Sequence, residues 1–293
     1  MQYLILGANG YIGAFLYRRL KMDGETVTGT GHIHNSSDEY LFFDILKDNI
    51  QNVIHKMDVR DKEKTAIVCI AQPNISLCYD NYNLSYEINV VKTKELIRCL
   101  REHGFHVIFF STDNVFDGKE GGYTEESKTH AINKYGMMKA EMEQYLTESE
   151  PDVCIFRISK VISTERLKQN ILLEWENQCR EGIVRCIKGN RLSFVAAEDI
   201  YQSCLIAAQR KLRGIYHIAG DQAYSRAELA ELFFKKTGNT SAQIQECSVQ
   251  EFSFTDGRPL DISMNNMKFK RETDYQFTSM GTVIDEYLKN SRK

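Results

Sequence analysis

Two stretches of the chain carry side chains able to move a proton on a small molecule. Ser111 and Thr112 close the apolar run 107–110, and Tyr135-Gly136-Met137-Met138-Lys139 follows as a Y-x-x-x-K. On a helix, that four-residue spacing sets the phenol and the ammonium on one face, a turn apart. A free tyrosine titrates near pH ~10, so acid–base work near neutrality needs a shift of roughly 3 units, about 4 kcal/mol. A neighbouring ammonium acts in the required direction because it favours the phenolate. Thr112 would hydrogen-bond the same substrate oxygen and orient it. A Y-x-x-x-K alone is a common surface pattern. Its company makes it informative.

That company begins with Gly7-Ala8-Asn9-Gly10-Tyr11-Ile12-Gly13, which follows the apolar run 3–6 and opens a helical stretch over 11–22. Gly7 would allow a sharp turn, Gly10 a close backbone approach to a pyrophosphate, and Gly13 close packing of helix on sheet. The helix N-terminus adds partial positive charge. Gly7, Asn9, Gly10, Tyr11, Ile12 and Gly13 are therefore the candidate cofactor turn, although the spacing is G-x-x-G-x-x-G and not G-x-G-x-x-G. The segment 28–37 beyond the second strand holds no acid before Asp38. Without a carboxylate to repel a 2′-phosphate, and with His32, Asn35 and Ser36 as donors, NADP(H) is favoured and NAD(H) is the alternative. His32 and His34 read as a solvated pair, and no metal site is expected.

These residues need a frame. Short apolar runs at 3–6, 26–28, 40–43, 66–70, 107–110 and 153–158 alternate with helical patterns at 11–22, 88–100 and 133–148. That rhythm predicts an α/β fold, a Rossmann-type doubly wound parallel sheet with both faces covered. After about Ser159 the rhythm changes, which predicts a nucleotide-binding domain over 1–158 with a returning segment near 190–220. A smaller, discontinuous substrate domain takes 159–189 and 221–293. Ser225 with Glu228 reads as a capping box, and Gly238 as the stop of the helix that it opens.

Composition narrows the function. Of 293 residues, 42% are hydrophobic and 26% charged, enough for a large core, and the net charge is −3. No global positive field suits nucleic acid or an anionic membrane, and no run approaches ~18 apolar residues. The eight cysteines form no C-x-x-C pair. They read as reduced, core-packing thiols of a cytoplasmic protein.

Taken together, the residues resemble an extended short-chain dehydrogenase/reductase, and more narrowly the dTDP-4-dehydrorhamnose reductase (RmlD-like) group. Gly7, Gly10 and Gly13 match its cofactor turn, Asp44-Ile45 the pair near the adenine, and Asn89 the Asn-Val that steadies the active-site helix. The stretch 111–118, Ser-Thr-Asp-Asn-Val-Phe-Asp-Gly, is close to S-T-D-x-V-F-D-G. Gly214-Ile215-Tyr216-His217-Ile218-Ala219-Gly220 and Arg258-Pro259 match two later motifs. The resemblance implies Thr112, Tyr135 and Lys139 as catalytic residues. It also implies Ala71, Ser111, Tyr135 and Lys139 at the cofactor, and Gln72, Asn74, Thr112, Asn114 and Arg258 at a nucleotide-sugar substrate, with Arg258 near its diphosphate. The stretch 71–76, Ala-Gln-Pro-Asn-Ile-Ser, departs from the group's usual Ala-Ala-Tyr-Thr type, and 191–194 lacks its proline, so the sugar stays open. The alternatives are an epimerase or dehydratase that retains its cofactor, against which Asn114 after Asp113 argues, and a non-catalytic NADP-binding regulatory subunit. A homodimer through the helices near 87–100 and 133–145 competes with a core role for their apolar faces.

Overall fold

The opening residues Gln2–Leu6 are all buried and form a strand, β1, in the middle of a parallel sheet. Burial on both faces explains why such runs are nearly continuously apolar where a half-exposed strand would alternate. The computed structural model describes residues 1–32, 39–57, 63–167, 169–180, 182–238 and 243–291. It divides into two compact units, residues 1–111, 137–156 and 201–215, and residues 112–136, 157–200 and 216–293. The division gives 112–136 to the second unit, where the sequence reading kept it with the first.

After β1 come α1 (Tyr11–Met22), β2 (Thr26–Gly31), β3 (Leu41–Phe42), α2 (Gln51–Ile54), β4 (Lys64–Val68), α3 (Ile75–Asp80), α4 (Tyr82–Tyr86), α5 (Thr93–Glu102) and β5 (His106–Thr112). The chain goes on through α6 (Lys134–Ser149), β6 (Cys154–Ile158), β7 (Val161–Ile162), α7 (Ile171–Arg180), β8 (Ile183–Ile187), β9 (Arg191–Leu192) and β10 (Val195–Ala196). It ends with α8 (Ala197–Arg210), β11 (Gly214–Ile218), β12 (Tyr224–Ser225), α9 (Arg226–Thr237), β13 (Gln243–Cys247), α10 (Met267–Thr273) and α11 (Met280–Asn290).

The main sheet has seven strands in the order β11-β6-β5-β4-β1-β2-β3. β1 pairs in parallel with both β2 and β4, and β4 with β5. This order reverses beside β1, the crevice where ligands of doubly wound sheets bind. β11 forms the edge of this sheet beside β6. In the first unit, Leu4, Val68, Val107 and Phe109 from the sheet pack with Ile97 and Met142 from the helices into one core. The helical pattern expected over 88–100 is broken: Glu87–Lys92 winds as a π-helix before α5 resumes. The Thr93 hydroxyl donates to the Ile88 carbonyl at 2.7 Å, a side-chain bond at the end of the widened turn.

In the second unit three two-stranded pairs, β7 with β10, β8 with β13 and β9 with β12, stand in place of a larger sheet. α9 has the capping box expected at Ser225 and Glu228, and ends at Gly238 with φ of 70°. Trp175, Phe233 and Tyr287 are buried together in this unit. Six of the eight cysteines are buried and two, Cys69 and Cys99, are half-buried. Among the described residues no helix is long and apolar enough to cross a membrane.

Candidate active site

In the first unit, the chain leaves β1 through Gly7, whose φ of +87° lies in the left-handed region that glycine enters without penalty. The Ala8 amide donates to the Thr30 carbonyl at 2.7 Å, pinning the turn to the end of β2. A Cβ on Gly13 would stand 2.9 Å from the Gly7 carbonyl carbon and closer still to its oxygen. Only glycine lets α1 close on the turn. Gly10 is the N-cap of α1 and brings no side-chain cap to it, with Tyr11, Ile12 and Gly13 in the first turn. Beside the turn lies a cleft of about 320 Å³ lined by Gly7, Asn9, Gly31, His32, Asp44, Ile45, Ala71 and Gln72, with neighbouring apolar side chains. This combination fits a dinucleotide: a glycine cradle with a positive helix end for the pyrophosphate, and a lined groove for the rest. Residues 33–38, Asn35 and Ser36 among them, lie outside the described residues. Asp44 accepts the Leu46 amide at 3.0 Å, and that bond, aided by Lys47, holds its carboxyl below the usual carboxylate range.

Asn89 shapes one wall of this cleft. Buried in the π-helix, it accepts the Gln72 amide at 2.7 Å and donates to the Gln72 carbonyl at 3.0 Å. Gln72 is thereby clamped as a strand partner would clamp it. Asn74, expected at the substrate, uses its side-chain oxygen to cap α3 through the Leu77 amide at 3.0 Å.

Lys139 is buried in the same unit. Its Nζ donates to the Phe110 carbonyl at 2.8 Å and lies 4.4 Å from the centroid of the Phe109 ring. Burial pulls its pKa down to about 8, against the opposing pull of Glu143. Glu143 is itself buried and accepts the Ser111 hydroxyl. Ser111 therefore turns to a carboxylate that the sequence reading did not single out.

In the second unit, Thr112 is buried at the end of β5. Its hydroxyl donates to Asp113 Oδ1 at 3.1 Å and accepts the Asn114 amide at 3.2 Å. Asp113 also accepts Ser159 at 2.9 Å and Asn114 Nδ2 at 2.9 Å. Burial pushes its carboxyl up to about 6 despite those bonds. Tyr135 is half-buried as the second residue of α6, and Lys139 follows one helical turn later. Just ahead of the helix, Asn133 is buried and its Oδ1 accepts the Gly136 amide at 2.8 Å. Its Nδ2 donates to Asn114 Oδ1 at 3.1 Å and to the Gly257 carbonyl at 3.2 Å. Asp256 Oδ2 accepts the Lys134 amide at 2.7 Å.

Arg258, the expected phosphate residue, lies over the Phe254 ring at 4.4 Å. Burial lowers its pKa; Asp256 opposes the shift and the nearby Arg226 adds to it. Lys160 is likewise lowered, first by burial and then by Arg226. Two cations of this unit, Arg258 and Lys160, thus lie near a third, Arg226, an arrangement that favours an anion. The Arg258 segment is anchored next door: the Asp261 amide donates to the Gly118 carbonyl at 3.0 Å and the Tyr123 amide to the Ser263 carbonyl at 2.9 Å. His217 of the Gly214–Ile218 strand is no acid–base group. It is buried between Arg157 Nη1 at 3.2 Å and the Asn265 carbonyl at 3.0 Å. Burial, then Arg157, drives its pKa down to about 3.

The structure thus brings Gly7, Asn9, His32, Asp44, Ile45, Ala71 and Gln72 together in one unit, and links Thr112, Asn114 and the start of the Tyr135 helix in the other. The sequence reading missed Glu143, Asn133, Asp256, Lys160 and Arg226. Of these, Asn133 alone carried a local signal, an asparagine at the cap position of a helix.

A family model described as the RmlD substrate binding domain matches residues 1–293. The chain is 22% identical over 272 residues to the probable low-salt glycan biosynthesis reductase of Haloferax volcanii, covering 90% of each. It is 23% identical over 246 residues to methionine adenosyltransferase 2 subunit beta of Xenopus laevis, covering 78% of this chain and 69% of that one. The fold matches a solved dTDP-4-dehydrorhamnose reductase of Bacillus anthracis in complex with NADP at a TM-score of 0.85, with 21% identity and 99% of each chain covered.

Proposed function

The chain belongs to the RmlD substrate binding domain family, and from that membership we propose that this oxidoreductase reduces the 4-keto group of a sugar nucleotide with NADPH. The observation that carries the reading is the cleft beside the glycine turn, lined by the residues that a dinucleotide needs. Gly7, Asn9, Gly10, Tyr11, Ile12, Gly13, His32, Asp44, Ile45 and Ala71 hold the cofactor, which supplies a hydride when bound. NADPH is preferred over NADH because no carboxylate stands between residues 28 and 37 and His32 lines the cleft.

Tyr135 gives its phenolic proton to the keto oxygen. Lys139, one turn along α6, favours the phenolate that results and steadies the cofactor ribose. Its lowered pKa of about 8 still leaves the ammonium mostly charged at neutral pH. Thr112 orients the keto oxygen, and Asn114 borders the sugar. Arg258, with Arg226 and Lys160, receives the diphosphate, so substrate recognition falls mainly to the second unit.

The test is NADPH consumption over a panel of 4-keto sugar nucleotides. Tyr135→Phe is expected to lose about 10²-fold or more in kcat, the range of a general acid, with NADPH affinity held within about twofold. Equal turnover in that variant, or no NADPH consumption by the natural chain, overturns the reading.

A further inference from the structure

We infer that Asn133 is a positioning residue that joins the phosphate arm of the substrate site to Thr112 and Tyr135, so that a diphosphate seated at Arg258 sets the geometry around the keto oxygen. The inference rests on the reductase reading and deepens it.

Asn133 is fully buried and immediately precedes α6. As a cap it needs only an acceptor for the Gly136 amide, and Ser, Thr or Asp would serve that end equally. What asparagine adds is its amide nitrogen, which donates in two directions. One bond reaches Asn114 Oδ1 at 3.1 Å, and the Asn114 amide nitrogen in turn holds Thr112 Oγ1 at 3.3 Å and Asp113 Oδ1 at 2.9 Å. The other reaches the carbonyl of Gly257 at 3.2 Å, the residue next to Arg258. Asp256, one residue further back, grips the Lys134 amide at 2.7 Å, so the 256–258 segment holds the first turn of α6 at two points. The fit is tight: a Cβ on Gly257 would come within 2.6 Å of the Ile132 carbonyl oxygen. Buried groups in such a network are destabilising when left unpaired, so the three segments move together or not at all. A ligand that fixes Arg258 therefore fixes the helix start that bears Tyr135. This is how binding energy far from the reacting carbon serves orientation at it.

Asn133→Ser keeps the cap acceptor, adds no charge and removes the amide nitrogen whose two N–H groups reach Asn114 and Gly257. We expect kcat for the keto sugar nucleotide to fall about tenfold or more, with NADPH affinity nearly unchanged and the unfolding temperature lowered by only a few degrees, the cost of two acceptors that lose their donor. Combined with Arg258→Ala, the two losses in kcat should fall short of their product, as coupled positions do. A readout independent of turnover is amide hydrogen exchange at 134–136 with dTDP added. The natural chain should show exchange slowed several-fold and Asn133→Ser should show none of that slowing. Wild-type kcat in Asn133→Ser overturns the inference, as does dTDP protection that is absent in the natural chain or equal in the variant. Absence of NADPH oxidation with dTDP protection lost only in the variant would sink the reductase reading and leave the coupling standing.

Discussion

Gly136→Ala offers a sharp measure of how closely the Tyr135 helix must approach the Thr112 loop. A Cβ at that position would stand 2.9 Å from the Asn114 carbonyl carbon and the Ala131 side chain, and nearer still to the Asn114 oxygen. Ordinary contact begins near 3.4 Å, so the helix start or the loop must retreat by roughly 1 Å, against backbone that cannot rotate away. Overpacking of this kind costs about 1–3 kcal/mol. For a chain of this size that is roughly 2–8 °C in unfolding temperature, so the variant should still fold. Catalysis should suffer more than stability. A displacement of ~1 Å between a proton donor and the group that orients its acceptor lowers turnover about 10²-fold, while the cofactor cleft, built from other residues, keeps its affinity. Steady-state NADPH oxidation, fluorescence titration of NADPH and a thermal melt separate the three effects. A Gly136→Ala enzyme with kcat within threefold of the natural one would show that the contact between α6 and the Asn114 carbonyl does not set the catalytic geometry.

Asn89→Ala removes both hydrogen bonds that clamp Gln72 and should weaken NADPH binding about tenfold, the scale of one or two buried bonds; unchanged affinity in a fluorescence titration would refute its role in the cleft wall. Asp113 binds its proton more tightly folded, near 6, than its ordinary 3.8. Its contribution to stability is therefore complete below pH ~3.8 and is lost as pH rises through 6. Relative to Asp113→Asn, the natural chain should lose about 3 kcal/mol between pH ~3.5 and ~7 in urea titrations, and parallel pH curves would refute the burial argument.

Much of the first unit was legible because its signals are local. Continuous apolar runs marked β1, β4, β5 and β6, and the glycines around Gly7 marked a turn whose positive φ only that residue type takes easily. Ser225 and Glu228 signalled their capping box three residues apart. The π-helix at Glu87–Lys92 escaped, since Ile88, Val91 and Leu96 keep a helical spacing whether or not the ladder widens. The site was harder to read. Thr112, Tyr135 and Lys139 were visible as types and spacings, but their settings depend on distant partners: Asn133 meets Gly257 across 124 residues, and Ser111 meets Glu143 across 32. Asn74 shows the converse. Its type suited a sugar contact, yet a helix start three residues away claimed its oxygen.

The sulfur atoms have a consequence for handling the protein. Burial pushes Cys69, which borders the end of β4, up to about 12 and Cys186 up to about 11, and raises Cys204 and Cys99 as well. Thiolate is the species that peroxides and alkylating reagents attack, and at neutral pH these positions hold almost none of it. Maleimide or iodoacetamide should therefore react more slowly at these four positions than at a surface cysteine introduced for labelling.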